Sequence, residues 1–256
     1  MSIETEIKRL QTAKENIKSA IEEKGVTVGD GTIDTYAEKI GEIIVGGGNA
    51  EDNPFYYATS FSGAFYGSTF PDNYDFVLKV RKAPANMANA FMRSTGVKTI
   101  KLISEDNSNI IDANACFREV KTIETVDLSE YNCKVKAGQY MFFQASSLKS
   151  IYGALDFTDC ANTTQWLNGA PLLEDIEFVP NTIKISTPFN WCSKLTKTSI
   201  TSAINGLDNI VTGQTITLSK TAVNNAFGID VDDESTYTEE FNTLRNAKSN
   251  WTFAYV

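Results

Sequence analysis

The feature that most constrains this chain is a short unit that recurs along its middle. Val97-Lys-Thr-Ile100, Val120-Lys-Thr-Ile123, Leu148-Lys-Ser-Ile151, Leu173-Glu-Asp-Ile176 and Leu195-Thr-Lys-Thr198 each place an apolar residue three positions before a second slot, which Thr198 occupies in the last copy. Successive copies start 23, 28, 25 and 22 residues apart. Six residues before the first slot stands a bulky plug, Phe91, Phe142, Leu167 or Phe189; the second copy reads as shortened, with Phe117 only three before. Further apolar residues follow as Leu102, Val126 and Leu128, Leu155 and Phe157, and Phe178. A unit of one strand and one plugged turn cannot bury its apolar side alone, but stacked copies share a continuous core. The spacing therefore predicts a solenoid, with Lys98, Lys121 and Lys149 pointing outward because strand side chains alternate.

Upstream, the periodicity is helical. Ile3, Ile7, Leu10, Ile17 and Ile21 fall in steps of four and three, interrupted by Lys14, so a helix with a narrow apolar seam is expected from Ile3 to Lys24. Gly25 reads as its C-terminal stop, and Ile33, Tyr36, Ile40 and Ile43 mark a second helix that would pair with the first as a hairpin. The seam spans about three heptads, too little for an isolated helix, so it needs a partner: the second helix, another copy or a larger assembly. Gly46, Gly47 and Gly48 then break the pattern. The expected organisation is a helical attachment or oligomerisation segment over 1–45, a linker over 46–53 and the solenoid over 54–256.

After Ser199 the repeat fades. Gln214 to Ser219 reads as a strand, Lys220 to Phe227 as a helix, Tyr237 to Lys248 as a longer helix capped within Thr236-Tyr-Thr-Glu239, and Trp251 to Val256 as a last strand. This tail is expected to cover the end of the stack. The fold class is thus mixed α/β: a helical hairpin, a solenoid of short strands and a C-terminal α/β cap.

Composition narrows the chemistry. The 256 residues contain no histidine, which removes Ser-His-Asp and Cys-His nucleophiles, the HExxH zinc site and the commonest general base. Cys116, Cys133, Cys160 and Cys192 form no CxxC pair, so buried free thiols are expected rather than a zinc or redox site. The formal net charge of −9, without a Lys/Arg cluster, argues against nucleic acid and anionic membrane as partners. No apolar run is long enough to span a bilayer, and the charged start MSIETEIKRL has no apolar core of a secretion signal. The chain is expected to stay, at first, in the cytoplasm of the cell that makes it.

Two resemblances sharpen the expectation. Phe189-Asn-Trp-Cys-Ser-Lys-Leu195 and Phe142-Phe-Gln-Ala-Ser-Ser-Leu148-Lys-Ser-Ile151 resemble the bacterial BspA-like leucine-rich repeat, with its Phe, small or Cys residue with Ser, then Leu and Ile. This covers residues from about 90 to 200 and implies a right-handed leucine-rich-repeat-like solenoid. The opening IKRLQTAKENIKSAIEEKGVTVGDGTIDTYAEKI is similar to N-terminal segments of tail proteins from phages of Gram-positive bacteria, through its RLQxAKxxIKxAIExKG and TYAxKI strings. Together they imply a virion component, assembled in the host cytoplasm, whose Ile3, Ile7, Leu10, Ile17 and Ile21 attach to other virion proteins or form a homotrimer while the solenoid meets the host surface.

Candidate chemistry is sparse. Asp230, Asp232, Asp233 and Glu234 invite calcium, but an EF-hand loop starting at Asp230 would want Gly where Ser235 stands and Glu where Phe241 stands. Asp127 with Asp156, or Glu174 with Glu177, would have to form any carboxylate pair for glycan hydrolysis. Binding fits better: solenoids present extended surfaces, and Tyr131, Tyr140, Tyr152, Trp166 and Trp191 are the aromatics least tied to the core register. The expected function is a non-enzymatic, cofactor-free and metal-free tail-fibre-type protein that recognises a bacterial surface glycan or protein. A capsid fibre or decoration protein, a bacterial adhesin and a carboxylate glycan hydrolase are the alternatives.

Overall fold

The computed structural model describes residues 3–22, 28, 54–131 and 133–256. The expected second helix and the glycine linker lie outside the described residues. The first helix, α1, spans Ile3–Glu22. Its Ile7, Leu10 and Ile17 are exposed and Ile21 is buried.

From residue 54 onward the chain winds as a solenoid of about six turns with parallel strands. One face is a four-stranded parallel sheet in the order β1 (Thr69–Lys82), β2 (Thr95–Asp106), β4 (Thr125–Glu130), β6 (Ser150–Tyr152). A single bridge from Ser150 extends that ladder to Asp175. A second, shorter ladder pairs β3 (Ile111–Asp112) with β5 (Val135–Ala137), flanked by the bridges Ser60–Asn86, Asn86–Asp112 and Lys134–Asp156. Parallel neighbours one coil apart in sequence follow directly from a repeat near 25 residues.

Between the ladders each coil makes a run of tight turns whose peptide groups alternate in direction. The N–H groups of Met87, Asn89, Phe91 and Arg93 donate axially to the carbonyls of Asp112, Asn114, Cys116 and Arg118 on the next coil. Those of Ala90, Met92 and Ser94 donate locally to Met87, Asn89 and Phe91. The same scheme recurs at 61–68, 113–120 and 138–145, so the backbone of the loop face is satisfied without strand or helix. The alternation requires left-handed residues four apart: Gly63 and Gly67, Asn89 and Arg93, Ala115 and Glu119, Tyr140 and Gln144, Gln165 and Gly169 all have positive φ. Most of these carry side chains, each at a cost of about 1–2 kcal/mol that the axial bonds offset. Side-chain oxygens of Ser60, Asn86, Asp112 and Asn162 open their runs by accepting the N–H two residues on.

Inside, the plugs stack. Phe65–Phe91, Phe91–Phe117 and Phe117–Phe142 have ring centroids 4.8, 5.6 and 5.2 Å apart, with planes within 17° of parallel. Phe91, Phe117 and Phe142 are at most 1% exposed. This corrects the expected repeat in its second copy, because Ile100 pairs with Val126 and Val126 with Ile151. The slots there are Ile123 and Val126, and Phe117 stands six before the first like every other plug. Val120 instead belongs to the turn run, where its N–H donates to Phe117. In the outward slot after the anchor, Lys98 and Lys149 therefore share a row with Glu124 and Glu174, and Lys149 pairs with Glu124 at 2.8 Å. Lys121 sits on an exposed turn. A further coil precedes the expected copies, with Phe61, Phe65, Phe76, Leu78 and Val80 in its core.

The last expected copy departs from strand. Leu195 is buried in the anchor slot, but Thr196 caps α2 (Lys197–Gly206) by accepting the Ser199 N–H. Downstream, β7 (Thr187–Phe189), β8 (Gln214–Leu218) and β9 (Trp251–Tyr255) form a parallel sheet, interleaved with α3 (Lys220–Phe227) and α4 (Glu239–Asn246). The α4 cap is Thr238, whose hydroxyl accepts from Phe241, so the helix starts two residues later than expected. Buried Lys248 ties this region to the coils: its ammonium donates to Asn181 Oδ1 and Asn209 Oδ1, each at 2.7 Å, and to the Leu207 carbonyl. Three acceptors meet three donors, the arrangement a buried ammonium needs.

Phe117→Ala is expected to lower unfolding free energy by about 3–5 kcal/mol, and Phe117→Leu by less than about 1.5 kcal/mol because Leu167 already fills the same slot. Urea denaturation of the two variants checks this; similar losses for both would show that the slot demands a ring.

Candidate functional site

Of the five aromatics expected to be available for binding, the structure removes two. Trp166 is fully buried, with Nε1 donating to the Pro188 carbonyl at 2.9 Å, and it packs edge-on against Phe157 and Phe189. Tyr131 is 6% exposed, its hydroxyl directed at Met87 Sδ. Both are core residues because the coil interior, once the Phe column is placed, still needs wide side chains on its flank. Tyr140 is half-buried: its ring meets Phe143 edge-on and lies under the Arg118 guanidinium at 5.3 Å. Arg118 and Arg93 in turn share Glu119, at 3.0 and 2.9 Å, which closes that surface on itself. Tyr152 and Trp191 remain open, 49% and 51% exposed.

Tyr152 stands in a groove of about 610 Å³ at the end of the parallel sheet. Its lining is Asp127, Ser129, Ile151, Tyr152, Gly153, Asp175, Ile176, Glu177, Thr198 and Ser199. The geometry follows from the register. Val77, Lys101, Asp127 and Tyr152 are successive partners on the outward face, while Ile100, Val126 and Ile151 point into the core. Rows on neighbouring strands lie about 4.8 Å apart, so the Tyr152 ring rises directly beside Asp127 on one side and the Asp175–Glu177 segment on the other.

The groove exists because two things happen to the coil here. Gly153, at φ +99°, lets the chain pass so close that an added Cβ would stand 2.8 Å from the Leu128 carbonyl carbon and oxygen. Beyond Glu177, the next coil turns into α2 rather than a strand, and Thr198 and Ser199 in its first turn form the far wall. Ser199 Oγ accepts the Ile176 N–H at 3.0 Å, substituting for the missing strand partner.

Charge in the groove is one-sided. Burial pushes Asp127 up, but the Ser129 N–H and hydroxyl and the nearby Lys101 more than compensate, holding its carboxyl below the usual range. Asp175 accepts from the Ser150 hydroxyl at 3.2 Å. No Lys or Arg is among the lining residues. Two other grooves are less suited to a ligand. One of about 490 Å³, lined by Tyr56, Tyr57, Arg81 and Lys82 among others, has its cations engaged by Asp106 and by the Tyr57 ring. Another of about 510 Å³ is lined by neutral groups such as Thr163, Gln165, Thr187, Thr215 and Thr217.

The expected carboxylate pairs are distributed differently. Asp127 and Glu177 line the groove, whereas Asp156 bridges Lys134 on the other ladder. Asp175 is a site residue that the repeat pattern does not single out; its position directly before the Ile176 core slot is the signal, since outward slots alternate with core slots along a strand. The 230–234 acids bond locally, with Asp230 and Asp233 accepting N–H groups two residues on and Asp232 paired to Lys220 at 2.8 Å. Among the described residues no group of three or more ligating side chains is placed to hold a metal ion. Burial raises Cys133 and Cys192 to about 12, and Cys116 and Cys160 above their ordinary value, so all four thiols are weak nucleophiles at neutral pH. Among the described residues no helix is long and apolar enough to cross a membrane.

Comparisons with protein-family models, characterised proteins and solved structures find no match for this chain.

Gly153→Ala is expected to lower the thermal midpoint, by the equivalent of about 2 kcal/mol or more, since a Cβ there is both strained and in contact with backbone. Calorimetry measures it, and an unchanged midpoint would mean that the coil can withdraw from Leu128.

Proposed function

We propose that this chain is a non-enzymatic virion attachment protein of tail-fibre type, mounted through its N-terminal helix and recognising a bacterial surface glycan with the solenoid. The observation that carries the binding part is the groove around Tyr152. An exposed aromatic ring offers a face for the apolar side of a sugar, and the surrounding carboxylates and the hydroxyls of Ser129 and Thr198 match a sugar's hydrogen-bonding edge. The regular coil-to-coil packing supports a leucine-rich-repeat-like reading of the solenoid, of the BspA-like kind, with residues from about 199 onward as its cap. Histidine is absent from the chain, and the groove's acids are hydrogen-bonded to serines or open to water rather than held as an acid and base pair. That favours binding over hydrolysis.

The mounting part rests on α1. Ile7 and Leu10 are 51% and 55% exposed on a helix whose other positions are mostly charged or polar, a surface that repays burial in a bundle. In this reading the helix trimerises or docks on other virion proteins.

Full-length protein is expected to bind the envelope polysaccharide of its host in a pull-down or titration, and Tyr152→Ala to weaken that binding about tenfold, worth about 1.4 kcal/mol. Equal binding by the variant would remove the groove from the reading. For the mount, light scattering of the full chain is expected to give a trimer that falls to monomer in an Ile7→Ser, Leu10→Ser, Ile17→Ser variant. A monomeric parent chain that also fails to attach to other virion proteins would overturn the attachment role.

A further inference from the structure

The charge and the ring of the Tyr152 groove together specify more than a sugar. Three carboxylates, Asp127, Asp175 and Glu177, line it, and no lining residue carries a positive charge. Lys101 reaches Asp127 at 3.6 Å but is held more tightly by Glu130 at 2.7 Å, outside the groove. The α2 N-terminus adds roughly half a positive charge at the far wall, which leaves the sum negative. An anionic polymer is therefore repelled from this surface, and a neutral sugar leaves the carboxylates with hydroxyl partners only. A protonated amine resolves both: it neutralises Asp175 or Glu177 and can meet the electron-rich face of Tyr152, which lines the same groove.

We propose that the groove selects a saccharide bearing a protonated amino group, a free amino sugar, over its N-acetylated or anionic counterparts. The proposal rests on the glycan-binding reading and adds the ligand's charge to it. Asp175 and Glu177 are the charge-selecting residues, and Tyr152 is the platform for the ring and its ammonium. Thr198 and Ser199 limit how far the saccharide extends past the end of the sheet.

The test titrates full-length protein with short oligomers of glucosamine and of N-acetylglucosamine, at mildly acidic pH and at low and high salt, by calorimetry and by NMR of the Tyr152 neighbourhood. The glucosamine oligomer is expected to bind about tenfold or more tightly than the acetylated one, with affinity falling as salt rises. Asp175→Asn with Glu177→Gln is expected to abolish that preference while leaving the thermal midpoint unchanged, and Tyr152→Phe to retain binding that Tyr152→Ala loses. Equal affinity for the two oligomers, lost in Tyr152→Ala, would overturn the charge selection and leave glycan binding in place. Failure of both oligomers to bind protein that binds its host polysaccharide through Tyr152 would overturn the amino-sugar assignment alone. Failure to bind these oligomers and any envelope polysaccharide would overturn both.

Discussion

The solenoid depends on alternation of peptide direction in the turn face. A strand ladder is the usual way to bond one coil to the next, and on two sides of this molecule strands do so. On the third side the chain must curve, which strands resist. Sending every second N–H to the neighbouring coil and the others back three residues keeps all of these peptide groups bonded through a curve. The condition is a left-handed residue at every fourth position of the run, and the chain accepts Asn, Arg, Ala, Glu, Tyr and Gln there as well as Gly. That tolerance is intelligible only if the axial bonds, repeated coil after coil, outweigh a local conformational cost at each one. The Phe column follows from it, because the axial bonds hold successive plugs one coil spacing apart and so stack their rings.

This explains which parts of the fold were legible in the sequence. The plug and the two apolar slots are side-chain requirements and leave a pattern, so Phe91, Phe142, Leu167 and Phe189 are visible at once. The turn run is a backbone requirement met by unlike residues, and it leaves almost none. Its invisibility is why the second copy reads as shortened. Val120-Lys-Thr-Ile123 looks like Val97-Lys-Thr-Ile100, yet Val120 belongs to the turn run and only Ile123 to the anchor row. The first coil was missed for a related reason: an excursion between Thr69 and Tyr74 shifts its register against β2 and hides Phe76 from the repeat count.

The candidate site was half legible. Alternation along the strand puts Tyr152, Asp127 and Glu177 outward, and the sequence contains that information. It does not contain the lateral register that brings them together, which exists only once the coil length is known. The same blindness leaves Trp166 and Tyr131 among the binding candidates, since a side chain off the repeat register is either outside or filling the flank of the core. Volume decides between these, and a linear pattern carries no volume.

The position where the repeat fails is also the position that makes a site. In the last copy Thr198 occupies a slot that four earlier copies fill with an aliphatic residue, and the coil there cannot continue as a buried strand. Thr196 instead caps a helix, whose first turn brings Thr198 and Ser199 to the groove wall alongside Glu177. Gly153, one coil earlier, draws the floor inward by permitting backbone contact that no other residue allows. A strictly regular solenoid would present a flat ridged sheet with its charges spread along it. Two local departures from the repeat turn that sheet into a concave surface lined by three carboxylates and one exposed ring, so the irregular copies shape the proposed site and the regular ones hold it in place.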